Sequence, residues 1–260
     1  MSNTYLTYLD YNSTTPIDPR VLDAMLPFLK DNFANPSSTH HFGQSINENV
    51  KQARQQIADF INAESNELIF TSGATEAINI AIKGVAENYS NKGKHIITVS
   101  TEHKAVLDTC KDLERKGFEA TYLSVLQNGL IDLSELQKAI RPDTILVSVM
   151  YVNNETGVIQ PIKDISKIAH EKGALFMTDA TQAVGKIEID VDDLGIDLLC
   201  FSGHKMYAPK GIGALYVRQR GNKVILTPQV HGGGHEQGLR SGTLNVPGVI
   251  ALAKACEIAS

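Results

Sequence analysis

The sequence predicts an α/β fold with a mainly parallel sheet covered by helices, on three observations. Short β-branched or apolar runs recur along the chain, helix-periodic stretches separate them, and turn or capping residues stand at several junctions. Strands that alternate with helices in this way favour βα units, each returning to the same sheet by a crossover.

From the amino end, Ile46, Val50, Ala53, Ile57 and Ile61 recur every three or four residues with Lys51, Gln52, Arg54 and Gln55 between them, an amphipathic helix over 46–62. Glu67 to Thr71 reads as a short strand, and Thr75 to Asn88 as a helix that begins directly after Ser72-Gly73-Ala74. A strand over 95–100, a helix over 104–116 and a strand over 120–125 follow, then a turn at Gln127-Asn128-Gly129. Asp132 and Glu135 have capping-box spacing for a helix that runs to Ile140. Residues 144–150 and 174–178 read as buried strands with a helix starting near Pro161 between them, and 198–202 and 211–217 add two more. The cluster Gly232-Gly233-Gly234, with Gly238 and Gly242, carries interleaved polar residues and reads as an ordered loop. A further apolar helix pattern, Val249, Leu252, Ala253 and Cys256, begins close to Ser260.

The 260 residues suffice for a large domain with a real core, and 42% hydrophobic with 20% charged residues excludes extensive disorder. A net charge of -5 gives no sign of a nucleic-acid surface. Cys110, Cys200 and Cys256 form neither a CxxC pair nor a metal cluster, so reduced thiols and no metal site are expected, with Cys200 in the core run 198–201. Residues 1–10 lack the features of a signal peptide, and no apolar run is long enough to span a bilayer; a cytoplasmic protein without membrane or nucleic-acid partners is expected.

In an open parallel sheet, ligands sit beyond the carboxyl ends of the strands. Ser72-Gly73-Ala74-Thr75-Glu76 follows a strand there and would let a backbone and a helix start approach a phosphate, although alone it reads equally as a tight turn. Asp179 ends an apolar run, where a carboxylate needs a cation or strong donor, unless it is an N-cap. Lys205, in Ser202-Gly203-His204-Lys205, could be desolvated and so available for a Schiff base; an isolated lysine would more often be a solvated loop residue. His103 alone reads more readily as a helix-start or surface histidine. Together, however, they supply what pyridoxal 5'-phosphate (PLP) requires: an amine, a carboxylate for the ring nitrogen, a phosphate site and a flat partner for the ring.

The segments SGATEAIN (72–79), TEHKAVLD (101–108), NNETGVIQP (153–161), TDATQAVGK (178–186), FSGHKMYAPKGIGALYV (201–217) and HGGGHEQGLRSGTLN (231–245), with YLDYNSTTP (8–16) and FANPSSTH (33–40), resemble the signature segments of NifS/IscS-type cysteine desulfurases in their usual order. The resemblance implies the PLP-dependent transferase fold of type I, similar to aspartate aminotransferase. It makes residues 16–260 the large cofactor domain and 1–15 a segment associated with a small domain, whose C-terminal part is expected to be absent. By the same resemblance Lys205 would bind the cofactor covalently, Asp179 would pair with the pyridine nitrogen, and Gln182 would bond the phenolic oxygen. His103 would stack on the ring and move protons, and Asn154 would lie near the substrate carboxylate and the cofactor oxygen. Ala74, Thr75, Ser202 and His204 would hold the phosphate, with Thr243 reaching over from a second subunit of a homodimer.

The implied reaction converts L-cysteine to L-alanine and passes sulfur, through an enzyme persulfide, to an iron-sulfur scaffold or thio-modification acceptor. The sulfur-accepting cysteine and a carboxylate-binding arginine of the family belong to a region beyond Ser260, and none of the three cysteines matches that motif. The expectation is therefore an incomplete desulfurase. Its alternatives are a selenocysteine lyase or other class-V aminotransferase-like enzyme, and a non-catalytic PLP-binding or dimerising scaffold.

Overall fold

A computed structural model describes residues 7–260, so residues 1–6 of the expected N-terminal segment lie outside the described residues. The strands are β1 (Leu68–Thr71), β2 (His95–Val99), β3 (Glu119–Leu123), β4 (Thr144–Ser148), β5 (Leu175–Asp179), β6 (Leu198–Ser202) and β7 (Gly213–Val217), in the spatial order β1-β7-β6-β5-β4-β2-β3. Pairing is parallel from β3 through β2, β4 and β5 to β6. β7 runs antiparallel to both β6 and β1. The reason is the connection: residues 203–212 hold only one 3-10 turn, too little chain for a crossover helix, so β7 doubles back. The observed strands are buried along their whole length, apart from the half-exposed edge strand β3 and Leu175, and the predicted ends Ser100 and Gly211 fall outside them and are exposed.

The helices are α1 (Pro19–Lys30), α2 (His41–Asp59), α3 (Ala74–Asn88), α4 (Lys104–Glu114), α5 (Leu133–Ala139), α6 (Ile162–Glu171) and α7 (Val246–Ala259). In α2 the predicted stripe Ile46, Val50, Ala53 and Ile57 is buried, but the helix starts at His41, capped by His40, whose Nδ1 accepts from the Gly43 N–H at 3.2 Å. It ends at Asp59, because Asn62 turns left-handed at φ 56 and places buried Ile61 in the exit turn. Asp132 caps α5 through the Ser134 and Glu135 N–H groups, whereas Glu135 turns to Lys138 at 2.8 Å and leaves the capping box half made.

The sequence reading contains no α1. Its start is well signalled, since Asp18 accepts from the Arg20 N–H at 2.8 Å and Pro19 opens the helix. Pro27 inside it removes an N–H and masks the pattern. Packing against α7 restores the helix: Val21 and Met25 are buried, while Leu22, Leu26 and Leu29 face outward.

One face of the sheet, with Ile69, Ile96, Leu146, Met177 and Leu215, is covered by α3 and α4. The other, with Phe70, Ile97, Val147, Phe176 and Tyr216, packs on the remaining helices, including Val249, Leu252, Ala253 and Cys256 of α7. The glycine-rich loop lies on the outer border of β1. There Glu236 accepts from the Phe70 N–H at 2.6 Å, and Arg54, which pairs with Glu236 at 2.6 Å, donates to the Leu68 carbonyl at 2.7 Å. Among the described residues, no helix is long and apolar enough to cross a membrane.

His95, at the amino end of β2, is buried between the hydroxyls of Thr144 (2.7 Å) and Thr121 (2.9 Å). Burial first, then the Arg141 charge, lower its pKa, so the folded protein holds it neutral. The unfolded chain takes up the proton first as pH falls, so this contribution to stability is present above the ordinary histidine pKa of about 6.5 and is lost below it. Thermal melts between pH 7.5 and 5.5 are expected to show a falling midpoint, with a shallower slope in His95→Gln.

Candidate active site

The carboxyl ends of β1, β5 and β6 open on a cavity of about 720 Å³, where the sheet logic predicted it. Ala74, Thr75, His103, Asn154, Asp179, Gln182, Ser202, His204 and Lys205 all line it. Thr243 does not; it is exposed in the loop before α7.

The phosphate-cradle expectation rests on the start of α3. Its N-cap, Gly73, has no side chain to cap the helix, so the first backbone donors are left without an internal acceptor. Gly73 sits at φ +155, and a Cβ on neighbouring Gly213 would come within 2.7 Å of the Gly73 Cα. Glycine at both positions is what lets the cradle lie against β7. Glu76, one turn in, accepts from the Ser72 N–H at 2.5 Å and from Arg240 Nε at 2.8 Å.

Asp179 is the last residue of β5 rather than the one after it. Its Oδ1 accepts from the Thr181 N–H at 2.9 Å, and burial raises its pKa against the pull of that bond, His103 and Lys205. Among the described residues it has no ion-pair partner in contact, so a cation entering the cavity would relieve it. Behind it Glu102, also buried, accepts from the Met150 N–H at 2.6 Å; its other oxygen has no partner, and burial together with Asp179 raises its pKa well above the carboxylate range.

Lys205 ends the 3-10 turn after β6. Its Nζ donates to the Asn12 and Ser13 carbonyls at 2.5 and 2.7 Å, and burial lowers its pKa although Asp10, Asp179 and Glu155 pull the other way. His204 meets the Thr14 hydroxyl at 3.1 Å, and burial followed by Lys205 and Lys210 lowers its pKa. His103 is the N-cap of α4, its Nδ1 accepting from the Ala105 N–H at 3.1 Å, which puts the proton of the neutral ring on Nε2. His103 thus starts α4, as one reading of it expected, and also lines the cavity. Gln182 donates to the Asn12 carbonyl at 2.9 Å and accepts from Lys186, and Asn154 donates to Glu155 at 2.7 Å.

Sequence reasoning assigned no role to Asp10, Asn12, Ser13, Glu102, Glu76 or Arg240. Asn12 and Ser13 fall inside the noted segment 8–16, yet nothing local says that this segment reaches the end of β6.

None of the cysteines offers a thiolate. All three are free and buried; burial pushes Cys110 and Cys256 up to about 12 and Cys200 well above its ordinary value.

The residues present fit PLP: an amine of lowered pKa, a buried carboxylate without a cation and an uncapped helix start share one cavity. The comparisons agree. The chain is 57% identical over 255 residues to cysteine desulfurase IscS of Pectobacterium carotovorum, covering 97% of this chain and 63% of the relative. It is 58% identical over 253 residues to IscS of Ehrlichia chaffeensis, covering 97% and 62%. The chain thus spans less than two thirds of the length of these relatives. Among solved structures, a NifS-like protein superposes with TM-score 0.94 at 44% identity, covering 97% of this chain and 69% of that one. SspA in complex with cysteine gives 0.93 at 48%, covering 97% and 72%. The family model for class-V aminotransferases matches residues 7–260, and on that match, with six of the eight signature segments contributing to one cavity, the chain belongs to the class-V aminotransferase family and is of the NifS/IscS type.

Proposed function

We propose that this chain carries the PLP site of a cysteine desulfurase, a sulfurtransferase that takes L-cysteine to L-alanine. The observation that carries the proposal is the meeting of Lys205, Asp179 and the uncapped start of α3 on a single cavity. Bound there, the cofactor supplies an aldehyde for amines and a cationic ring that withdraws electrons from the substrate α-carbon. Residues 16–260 act as its large domain, and 1–15 as a segment associated with a small domain.

Each side chain has a task that its surroundings support. The lowered pKa of Lys205 leaves more of its amine unprotonated, and the Asn12 and Ser13 carbonyls hold it inside the cavity. Asp179 keeps the ring nitrogen protonated by supplying the charge partner there. Ala74, Thr75, Ser202 and His204 hold the phosphate, the first two through α3 donors. Gln182, its amide oxygen taken by Lys186 and one N–H given to the Asn12 carbonyl, has its second N–H to give the phenolic oxygen. His103 carries a proton on Nε2, from which it can be passed to or from substrate, and Asn154 orients the substrate carboxylate.

In the overall conversion the C–S bond of cysteine breaks, a hydrogen takes the place of sulfur in alanine, and an S–S bond forms to an acceptor thiol; no external oxidant is needed. Because the three thiols here are buried and of raised pKa, that thiol is none of them. Sulfur then passes to an iron-sulfur scaffold or thio-modification acceptor. The working unit is a homodimer in which Thr243 serves the partner's site; exposed Leu22, Leu26, Leu29 and Phe33, with Phe33 stacked edge-on against Phe42, offer apolar surface of the kind that interfaces cover. Three free thiols suit the reducing cytoplasm, where the proposal puts it.

The test is incubation of the purified chain with PLP and L-cysteine, with alanine and sulfide assayed beside cofactor retention. Cofactor retention and saturable cysteine binding are expected, with little sustained sulfide. Steady sulfide release would refute the exclusion of these thiols. Retention without any response to cysteine would favour the non-catalytic scaffold, to which the buried thiols lend support.

A further inference from the structure

The cradle for an anion contains an anion of its own. Glu76 lines the cavity on the first turn of α3, beside Ser72, Gly73 and Thr75, and its carboxylate holds the Ser72 N–H at 2.5 Å. That bond shapes the turn, but an unneutralised carboxylate there would oppose a doubly charged phosphate. Arg240, from the glycine-rich loop far along the chain, lies against it: Nε to Oε1 is 2.8 Å, and both side chains are about four-fifths buried (21% and 20% exposed). Burial disfavours the charged form of Glu76, yet the bonds from Arg240 and Ser72 outweigh it and hold its carboxyl below the usual range, so the pair is ionic. Neither residue has a place in the roles argued above.

We propose that Arg240 is a positioning residue for the phosphate subsite: it cancels the charge of Glu76, which can then fasten the Ser72 turn without repelling the phosphate. The inference rests on the PLP reading of the cavity and adds to it a residue that discriminates the phosphorylated cofactor from its phosphate-free form. The glutamate shapes the backbone, and the arginine makes that shape electrostatically acceptable. A glutamine at 76 could still accept from Ser72, so the shape and the charge can be separated by substitution.

The test is equilibrium titration of the chain and its variants with PLP and with pyridoxal, followed by cofactor absorbance, with thermal midpoints recorded without cofactor. Arg240→Gln is expected to weaken PLP binding about tenfold, as an uncompensated charge near a phosphate should, and to leave pyridoxal binding unchanged. In Arg240→Gln combined with Glu76→Gln, PLP affinity should return to within about twofold of the parent. A double variant as weak as Arg240→Gln would overturn the proposal and make Arg240 a direct phosphate ligand; equal loss of pyridoxal would overturn it in favour of general loop disruption. If the parent chain binds PLP no better than pyridoxal, or Lys205→Ala binds both as the parent does, the cofactor reading itself falls and this inference with it.

Discussion

Lys205→Ala is expected to abolish covalent capture of PLP. Borohydride treatment of the loaded parent chain, followed by peptide mass spectrometry, should place the cofactor mass on the peptide containing Lys205, and the variant should show no such adduct. Losing the covalent link should also weaken retention by about a hundredfold, roughly 2.7 kcal/mol. The expectation has a geometric basis: Lys205 and Lys210 both line the cavity, but Lys205 is the one held by the Asn12 and Ser13 carbonyls and placed among Asp10, Asp179 and Glu155. An adduct that moved to Lys210 with undiminished affinity would show that the cavity, rather than that one amine, determines capture.

Asp179→Ala should give the second largest effect. A carboxylate buried without a cation is costly, and the same cost becomes a driving force once a protonated ring nitrogen arrives. Removing it should weaken PLP retention by about ten- to a hundredfold, the scale of a lost buried charge partner after relaxation. It should also quench exchange of the α-hydrogen of L-alanine in deuterated water, read by proton NMR. Asp179→Asn separates the causes, since the amide keeps the volume and can still accept from Thr181, but has no charge. Exchange at the parent rate in Asp179→Asn would show that the carboxylate serves packing alone.

These two residues drew notice from the sequence because Asp179 closes an apolar strand and Lys205 follows one by a short turn, and because together with His103 and the 72–76 junction they outweighed the ordinary reading that each has alone. The junction at 72–76 drew notice only in that company, since small residues between a strand and a helix read equally as a tight turn. What escaped the sequence depends on distant pairing. Asn12 and Ser13 bond to a lysine at 205, and Glu76 to an arginine at 240, and no local periodicity encodes such contacts. Glu102 sits beside the noted His103, but its burial behind Asp179 follows only once β4 and β5 are paired. Helix α1 escaped for a local reason, Pro27, which tertiary packing overrides. The direction of β7 was hidden because strand composition says nothing about polarity; the short stretch between β6 and β7 does.

The Arg54–Glu236 pair occupies the positions that a neighbouring strand's own amide and carbonyl would take beside Phe70 and Leu68. An intruding polypeptide would have to displace a desolvated charge pair before it could zip onto that border, so this flank is guarded against runaway strand addition and the fibrous aggregates to which bare sheet margins are prone.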